Sequence, residues 1–266
     1  MKIDVVSLFP RMFESVFGES IIGRAIKNKI LELDVHNLRD WAIGDYGTVD
    51  DKPFGGGAGM LIRADVIFNA INGVKAQNLK SEFSNKNKKE DTKLQQDCHV
   101  VSLRTAPRND KSGTKVVVLS AKGKRYNQKK AEELSKLDNL ILLCGHYEGF
   151  DQRVMDYMAD EVISIGDYVL TGGETPAMIL IDSVVRLLPG VLGKEESKEV
   201  DSFSEVEIKG KKVRKVEYPQ YTRPREFMGH KVPKILLSGD HERIKKWKKD
   251  KILNPNTQTC RPTDKF

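Results

Sequence analysis

Two glycine-rich segments follow short apolar strands and carry residue types that a small-molecule site needs. The first is Gly145-His146-Tyr147-Glu148-Gly149, and the second covers 165–174 and includes Asp167. Glycine tolerates a positive φ, so such turns let main-chain groups approach a ligand closely. Turns that merely join strands to helices would use the same residues. Because two such turns open side by side with Tyr147, Glu148 and Asp167, the sequence favours a binding pocket.

The composition indicates a globular protein with a polyanionic partner. The chain has 266 residues, of which 39% are hydrophobic and 31% charged, with a net charge of +7. Part of the positive charge lies in Lys75 to Lys93, whose polar composition predicts a disordered surface insertion. A second basic segment, 240–251, predicts a helix capped by Asp240 with Ile244 and Trp247 facing inward. Nucleic-acid contact and an ordinary solvated face explain that helix equally well.

Several classes of protein are disfavoured by what the sequence lacks. No apolar run approaches the roughly 18 to 20 residues of a spanning helix, and the chain enters a strand at its start without a leader pattern. We therefore expect a cytoplasmic protein without membrane association. The cysteines form no CxxC pair and the histidines no HExxH pattern, so the sequence predicts no metal held by dedicated protein ligands.

Apolar strands alternate with amphipathic helices along the first part of the chain. This order predicts an α/β fold with a parallel sheet. Strands are expected at 2–8, 31–38, 116–119, 140–144 and 162–165, and helices from Pro10, at 21–26, 127–135, 150–158 and 176–188, the last with Thr175 as N-cap. Ligands bind at the carboxyl ends of such strands, where Ser120 and the two glycine-rich segments would converge.

The remaining segments predict a linker and a second lobe. Residues 191–217 are rich in Lys, Glu, Ser and Gly with little periodicity, and a smaller basic lobe follows from Tyr218 to the C-terminus. The loop from Asp40 to Gly59 contains Gly55-Gly56-Gly57 but lacks the GK[ST] of a phosphate-binding loop. It remains a flexible turn that presents Asp50 and Asp51.

The ordered motifs of the chain resemble the bacterial tRNA (guanine-N1)-methyltransferases, the TrmD family of the SPOUT class. The resemblance covers nearly the whole chain. It is carried by Ser7-Leu8-Phe9-Pro10, Thr48-Val49-Asp50-Asp51, Cys144 to Gly149, Ser164 to Glu174, Leu180 to Val184, Pro189 to Gly193, Asp201-Ser202-Phe203, Tyr221 to Pro224 and Leu236 to Gly239.

This resemblance implies a fold and a domain organisation. Residues 1–190 would form a SPOUT-type parallel sheet with a deep trefoil knot, with an insertion at about 75–115. Residues 191–217 would be a flexible linker, and 218–266 a small, basic, helical domain that helps to bind tRNA. Relatives are homodimers with the active site at the subunit interface, so each site would borrow linker and second-lobe residues from the partner.

The resemblance also implies S-adenosylmethionine as the methyl donor and guanine-37, 3′ of the anticodon, as the acceptor. Matching motif to motif places these residues around a bent cofactor: Leu119, Ser120, Gly145, Tyr147, Glu148, Gly149, Ser164, Ile165, Gly166, Tyr168, Leu170, Gly172, Gly173 and Pro176. Where relatives commonly have a proline after the serine, this chain has Ala121, which loosens that loop.

Guanine N1 must lose its proton during methylation, so a general base is needed. Asp201 matches the base of the family, and Arg186 matches the arginine that stabilises negative charge at O6. The family mechanism also implies Mg²⁺, whose ligands the sequence does not identify. Asp50 is a candidate for contact with the flipped guanine, and a turn-capping role is nearly as compatible with it.

Two other functions fit the same fold. A non-catalytic RNA-binding scaffold would not need Arg186 and Asp201. A SPOUT enzyme that methylates a ribose or another RNA base would not need the Asp201-Ser202-Phe203 motif, and the fold alone does not determine the substrate.

Overall fold

The chain forms two compact units in the structure, which is a computed structural model. The described residues are 1–86, 113–192, 205–208, 211–214 and 217–253. The first unit covers Met1–Val191 and the second Leu192–Phe266.

A five-stranded parallel sheet forms the centre of the first unit. Its strands are β1 (Lys2–Ser7), β2 (Glu32–Asn37), β5 (Thr114–Arg125), β6 (Asn139–Cys144) and β7 (Glu161–Ser164). Their order is β2-β1-β6-β5-β7, and every pairing is parallel. The short strands β3 (Asp50–Asp51) and β4 (Leu61–Ile62) form a separate antiparallel pair. The predicted α/β fold with a parallel sheet is confirmed.

One expectation about the sheet is wrong. The glycine-rich turns after β6 and β7 were expected on neighbouring strands, but β5 lies between these strands and pairs with both. The pairing of β5 with β7 breaks between Leu119 and Lys124, so Ser120 to Gly123 form a bulge. At this break, residue 123 is a glycine. A side chain there would clash with β7, because its Cβ would lie 2.5 Å from the Ile163 nitrogen. The bulge places Ser120 at the same edge as the two turns.

The helices of the first unit are α1 (Glu14–Phe17), α2 (Ser20–Lys27), α3 (Ala64–Lys86), α4 (Gln128–Leu134) and α5 (Glu174–Val185). A 3-10 turn at Pro10–Phe13 precedes α1, and a π-helical turn at Val154–Met158 replaces the predicted helix at 150–158. The prediction of Thr175 as N-cap is wrong, because α5 begins at Glu174, two residues before the predicted start, and Gly173 is its N-cap. No helix among the described residues is long and apolar enough to cross a membrane.

Hydrophobic cores cover both faces of the sheet. Successive side chains of a strand point to opposite faces, so Ile3 and Val5 of β1 pack into one core while Val6 packs into the other. The first core joins the sheet to α1, α2, α4 and α5, and the second joins it to α3. The near-continuous apolar sequence of β6 follows from burial on both faces.

Helix α3 corrects the prediction of disorder from Lys75 onward. Its stripe Val66, Ile67, Ala70, Ile71 and Val74 is buried, and the helix continues through Lys75 to Lys86. A buried polar contact joins this part of the helix to the sheet, because Asn78 Nδ2 donates to Asp4 Oδ2 on β1 at 2.8 Å. His36 Nε2 bonds the other oxygen of Asp4 at 2.7 Å. The expected disorder of residues 87–93 lies outside the described residues.

The described parts of the second unit contain short hairpins and one long helix. Strands β8 (Glu205–Ile208) and β9 (Lys211–Arg214) pair within the segment that was expected to be an irregular linker. Strands β10 (Glu226–Phe227) and β11 (His230–Lys231) pair as well. Helix α6 (His241–Leu253) begins as predicted, because Asp240 Oδ1 accepts the Arg243 N–H at 3.0 Å. Ile244 and Trp247 are half-buried, as expected.

Glu161 on β7 joins two neighbouring elements through ion pairs. Lys115 Nζ of β5 lies 2.6 Å from Glu161 Oε2, and Lys130 Nζ of α4 lies 2.8 Å from Oε1. Burial alone would raise the pKa of Glu161, but the hydrogen bonds and charges of the two lysines outweigh it and lower the pKa.

We expect Glu161→Gln to destabilise the first unit by about 1–2 kcal/mol at pH 7. A lowered folded-state pKa means that this stability is present above the unfolded-state pKa of 4.5 and is lost as the pH falls through the folded-state value. We would measure the free energy of unfolding in urea between pH 7 and pH 3 for the wild type and for Glu161→Gln. The difference between the two proteins should shrink as the pH falls. Glu132→Gln, an exposed change on α4, is the control, and an equal loss in both variants would contradict the assignment.

Candidate functional site

A cavity of about 240 Å³ lies at the carboxyl edge of β5, β6 and β7. The bulge of β5, the turn after β6 and the segment after β7 line it together with the start of α5. Every residue that sequence comparison assigned to the cofactor lines this cavity: Leu119, Ser120, Gly145, Tyr147, Glu148, Gly149, Ser164, Ile165, Gly166, Tyr168, Leu170, Gly172, Gly173 and Pro176.

The cavity also has lining residues that were not assigned to the cofactor from the sequence. They lie within or next to the same motifs, which is the signal that could have identified them: Ala121, Lys122, His146, Phe150, Ile163, Val169 and Thr171. Next to Ala121, the Lys122 N–H donates to Ser120 Oγ at 3.3 Å.

The turn after β6 is held by the β3–β4 hairpin. The Glu148 N–H donates to the Met60 carbonyl at 3.1 Å, and the Ile62 N–H donates to the Gly149 carbonyl at 2.9 Å. Gly149 has φ +104°, and Tyr147 adopts φ +58° although it is not a glycine. A non-glycine residue in this region indicates a conformation imposed by its surroundings. The hairpin therefore fixes the direction in which Tyr147 and Glu148 enter the cavity.

The start of α5 packs directly on the end of β6. The Gly173 N–H donates to the Gly145 carbonyl at 2.7 Å. A Cβ on Gly173 would lie 2.6 Å from the Gly145 nitrogen and 2.7 Å from Cys144 Cα. Only a glycine allows this approach of two backbones, so Gly173 joins two walls of the cavity.

Ser164 has a structural task in the segment after β7. Its Oγ donates to the Gly166 carbonyl at 3.1 Å and accepts the Gly166 N–H at 3.3 Å. The side chain closes the turn from which Tyr168 extends. The Tyr168 hydroxyl in turn lies 3.5 Å from the Ile165 carbonyl.

A buried polar group lies behind the cavity. Glu174 has 1% exposure, and its Oε1 accepts the Ser7 hydroxyl at 2.7 Å. Glu174 Oε2 lies 3.6 Å from His146 Nε2, and the His146 ring packs 4.8 Å from Phe9. Burial, reinforced by the negative charge of Glu174, raises the pKa of the Cys144 thiol well above its usual value. The sequence placed His146 in the glycine-rich turn and Ser7 in a family motif, but it did not predict their contacts with Glu174.

Two other predicted site residues, Asp50 and Arg186, are not among the residues that line the cavity. Asp50 is on β3, where it pairs with Ile62 of β4, so it is one strand removed from the turn that ends at Gly149. Arg186 is exposed at the C-terminal end of α5. At 1.5 Å per residue, it is about 15 Å along the helix from Pro176. Asp201 lies outside the described residues.

No group of three or more His, Cys, Asp or Glu side chains that could hold a metal ion occurs in the part of the chain that the structure describes. The described residues alone do not offer a site for the expected Mg²⁺, and we derive no step through it.

A comparison with protein-family models matches residues 1–264 to the tRNA (Guanine-1)-methyltransferase TrmD family. The chain belongs to this family. The prediction of a TrmD-family methyltransferase is thereby confirmed, and enzymes of this family use S-adenosylmethionine.

Curated TrmD relatives cover almost the whole chain. A tRNA (guanine-N(1)-)-methyltransferase of Clostridium botulinum is 47% identical over 98% of this chain and 91% of its own length. One from Listeria monocytogenes is 44% identical over the same shares. One from Geobacillus kaustophilus is 43% identical over 95% of this chain and 87% of its own length.

The cavity residues fit the TrmD cofactor chemically. Leu119, Ile165 and Leu170 provide apolar surface for an adenine ring, and the glycine-rich turns expose backbone donors and acceptors for its edge. The carboxylate of Glu148 lines the same cavity and suits a positively charged ligand.

We expect Gly173→Ala to destabilise the TrmD-type unit by about 1–3 kcal/mol, because the added methyl group overlaps the backbone of β6. Denaturant unfolding measures this loss, and binding of S-adenosylmethionine by calorimetry should weaken in parallel. Gly18→Ala is the matched control. There the backbone is helical and the nearest contact of a Cβ is 3.1 Å, so the change should stay below about 1 kcal/mol. Equal effects in the two variants would contradict the packing argument.

Proposed function

We propose that this protein transfers the methyl group of S-adenosylmethionine to N1 of guanine-37, the base 3′ of the anticodon in tRNA. The observation that carries the proposal is the single cavity at the carboxyl edge of the sheet, which collects all the cofactor residues assigned from sequence. The family membership and the net charge of +7 support tRNA as the substrate.

In this proposal the cavity binds S-adenosylmethionine, and its apolar and backbone groups determine how the ligand is oriented. Leu119, Ile165 and Leu170 pack against the adenine, and backbone groups at Gly145 and Gly172 hydrogen-bond the ligand. When bound, the cofactor supplies an electrophilic methyl group on a positively charged sulfur and leaves as the neutral thioether. Tyr147 and Tyr168, which are about half exposed at 48% and 54%, would contact the bound ligand from the open side of the cavity.

Asp201 and Arg186 act on the guanine. The Asp201 carboxylate takes the proton from N1 as the nitrogen forms its bond to the methyl carbon. The Arg186 guanidinium balances the negative charge that develops at O6, which makes a weak base such as a carboxylate sufficient. Asp50 contacts the flipped base from the β3–β4 hairpin, which lies beside the turn at Gly149.

A homodimer with shared active sites accounts for the position of Arg186. Within one subunit, the helix α5 separates Arg186 from the cofactor cavity by about 15 Å. Arg186 and the linker that carries Asp201 therefore serve the cavity of the partner subunit in this proposal. Large apolar side chains that are exposed near the cavity support a covered surface there, notably Phe9 at 45%, Val169 at 92% and Leu170 at 41%.

The finer features of the fold belong to the same proposal. The backbone of the first unit forms a deep trefoil knot, in which the segment after β7 passes behind the turn after β6. The contact between Gly173 and Gly145 supports this path. The second unit binds tRNA through the exposed lysines of α6. Mg²⁺ remains a predicted requirement for turnover.

The first experiment is methyl transfer from labelled S-adenosylmethionine to unmodified tRNA transcripts with guanine or adenine immediately 3′ of the anticodon. Label should appear as 1-methylguanosine only with the guanine transcript. Nucleoside analysis by mass spectrometry identifies the product. Cofactor binding without transfer would favour a non-catalytic scaffold, and transfer to a ribose or another base would favour a different SPOUT activity.

We expect Asp201→Ala to lower kcat by about 10²- to 10⁴-fold, the usual contribution of a general base. Binding of S-adenosylmethionine should change less than about twofold, since residues between Leu119 and Pro176 line the cavity that is proposed to bind it. Single-turnover kinetics and calorimetry measure the two quantities. Glu132→Ala is the control, because this exposed carboxylate on α4 is not among the residues that line the cavity. An equal loss of binding and turnover in Asp201→Ala would refute the role of a base.

A further inference from the structure

Glu174 is a buried carboxylate that the proposed mechanism does not use. It is the first residue of α5, and its side chain has 2% exposure. Its Oε1 accepts the Ser7 hydroxyl at 2.7 Å, and the Ser7 oxygen in turn accepts the Phe9 N–H at 2.8 Å. The carboxylate therefore links the start of α5 to the end of β1.

The carboxylate lies immediately behind the cavity wall. Gly172 and His146 line the cavity. A Cβ on Gly172 would lie 2.4 Å from Glu174 Oε2 and 2.7 Å from His146 Nε2. The wall at this point is therefore only a glycine backbone and the edge of an imidazole ring.

The negative charge of Glu174 has little local compensation. Among the described residues, no lysine or arginine forms an ion pair with it, and its partner His146 carries a charge only when protonated. Glu148 also lines the cavity but is exposed, so water screens its charge more strongly. A buried charge acts on its surroundings through a lower effective dielectric constant.

We propose that Glu174 makes the cavity prefer the positively charged methyl donor over its demethylated product. This inference rests on the proposed binding of S-adenosylmethionine in the cavity. The donor and S-adenosylhomocysteine share adenine, ribose and amino-acid groups, and they differ by one methyl group and the positive charge on sulfur. A fixed anion behind Gly172 favours the sulfonium form and assists release of the neutral thioether after transfer.

A purely structural role for Glu174 makes a different prediction. If Glu174 only links α5 to β1 through Ser7, its loss weakens both ligands to the same extent. Glu174→Gln retains the shape of the side chain and an oxygen that can accept the Ser7 hydroxyl, but it removes the charge. The ratio of the dissociation constants for S-adenosylmethionine and S-adenosylhomocysteine therefore distinguishes an effect of the Glu174 charge from an effect of its shape.

The test is calorimetric titration of S-adenosylmethionine, S-adenosylhomocysteine and sinefungin, an analogue with an ammonium group in place of the sulfonium methyl. Glu174→Gln should weaken the two cationic ligands about tenfold, while the affinity for S-adenosylhomocysteine changes less than about twofold. Ser7→Ala, which keeps the charge and removes its hydrogen bond, should leave the preference unchanged. Glu148→Gln should reduce the preference for the cationic ligands over S-adenosylhomocysteine less than Glu174→Gln does.

Equal weakening of cationic and neutral ligands in Glu174→Gln would overturn the inference and leave the proposed function intact. Failure of wild-type protein to bind any of the three ligands would overturn the proposed function itself. If a thermal unfolding assay shows that Glu174→Gln does not fold, the affinities of the wild-type protein for sinefungin and S-adenosylhomocysteine test the inference instead. It must bind sinefungin more tightly than S-adenosylhomocysteine, and the opposite order would overturn the inference.

Discussion

The close approach of two backbones at Gly173 and Gly145 is the constraint on which the site depends. Their hydrogen bond of 2.7 Å places the first turn of α5 against the end of β6 without any intervening side chain. Because α5 also packs into the core through Ala177, Leu180 and Ile181, the position of the cavity wall is coupled to the stability of the whole unit. The site is thus part of the core packing rather than a loop placed upon it.

The β5 bulge and the β3–β4 hairpin complete the cavity from the other sides. The bulge interrupts the pairing with β7 between Leu119 and Lys124 while the strand continues beyond it. The hairpin bonds the turn at Glu148 and Gly149 through backbone groups only. Backbone contacts of this kind depend on strand geometry and tolerate many side chains, so the cavity can retain its shape while its surface residues vary.

Local patterns in the sequence predicted much of this fold, but tertiary contacts decided the rest. The apolar runs of β1 and β6 and the Asp240 cap of α6 were recognisable because their signals are local. Helix α3 was missed although Val66, Ile67, Ala70 and Ile71 recur at helical spacing. Past Lys75 the helix contacts the sheet through the hydrogen bond of Asn78 to Asp4, 74 residues away in the chain, which no local pattern indicates. The placement of β5 between β6 and β7 likewise has no local signature. The cofactor residues came from resemblance to a family, and burial of Glu174 became visible only in three dimensions.

A protein that binds an alkylating agent must protect its own nucleophiles. Cys144 directly precedes the turn that lines the cavity, and a thiolate there would compete with the RNA base for the methyl group. Its sulfur is buried, and burial together with the charge of Glu174 raises the pKa of the thiol. The thiol form is a poor nucleophile. The packing that shapes the cavity therefore also keeps the Cys144 thiol buried and in its weakly nucleophilic form.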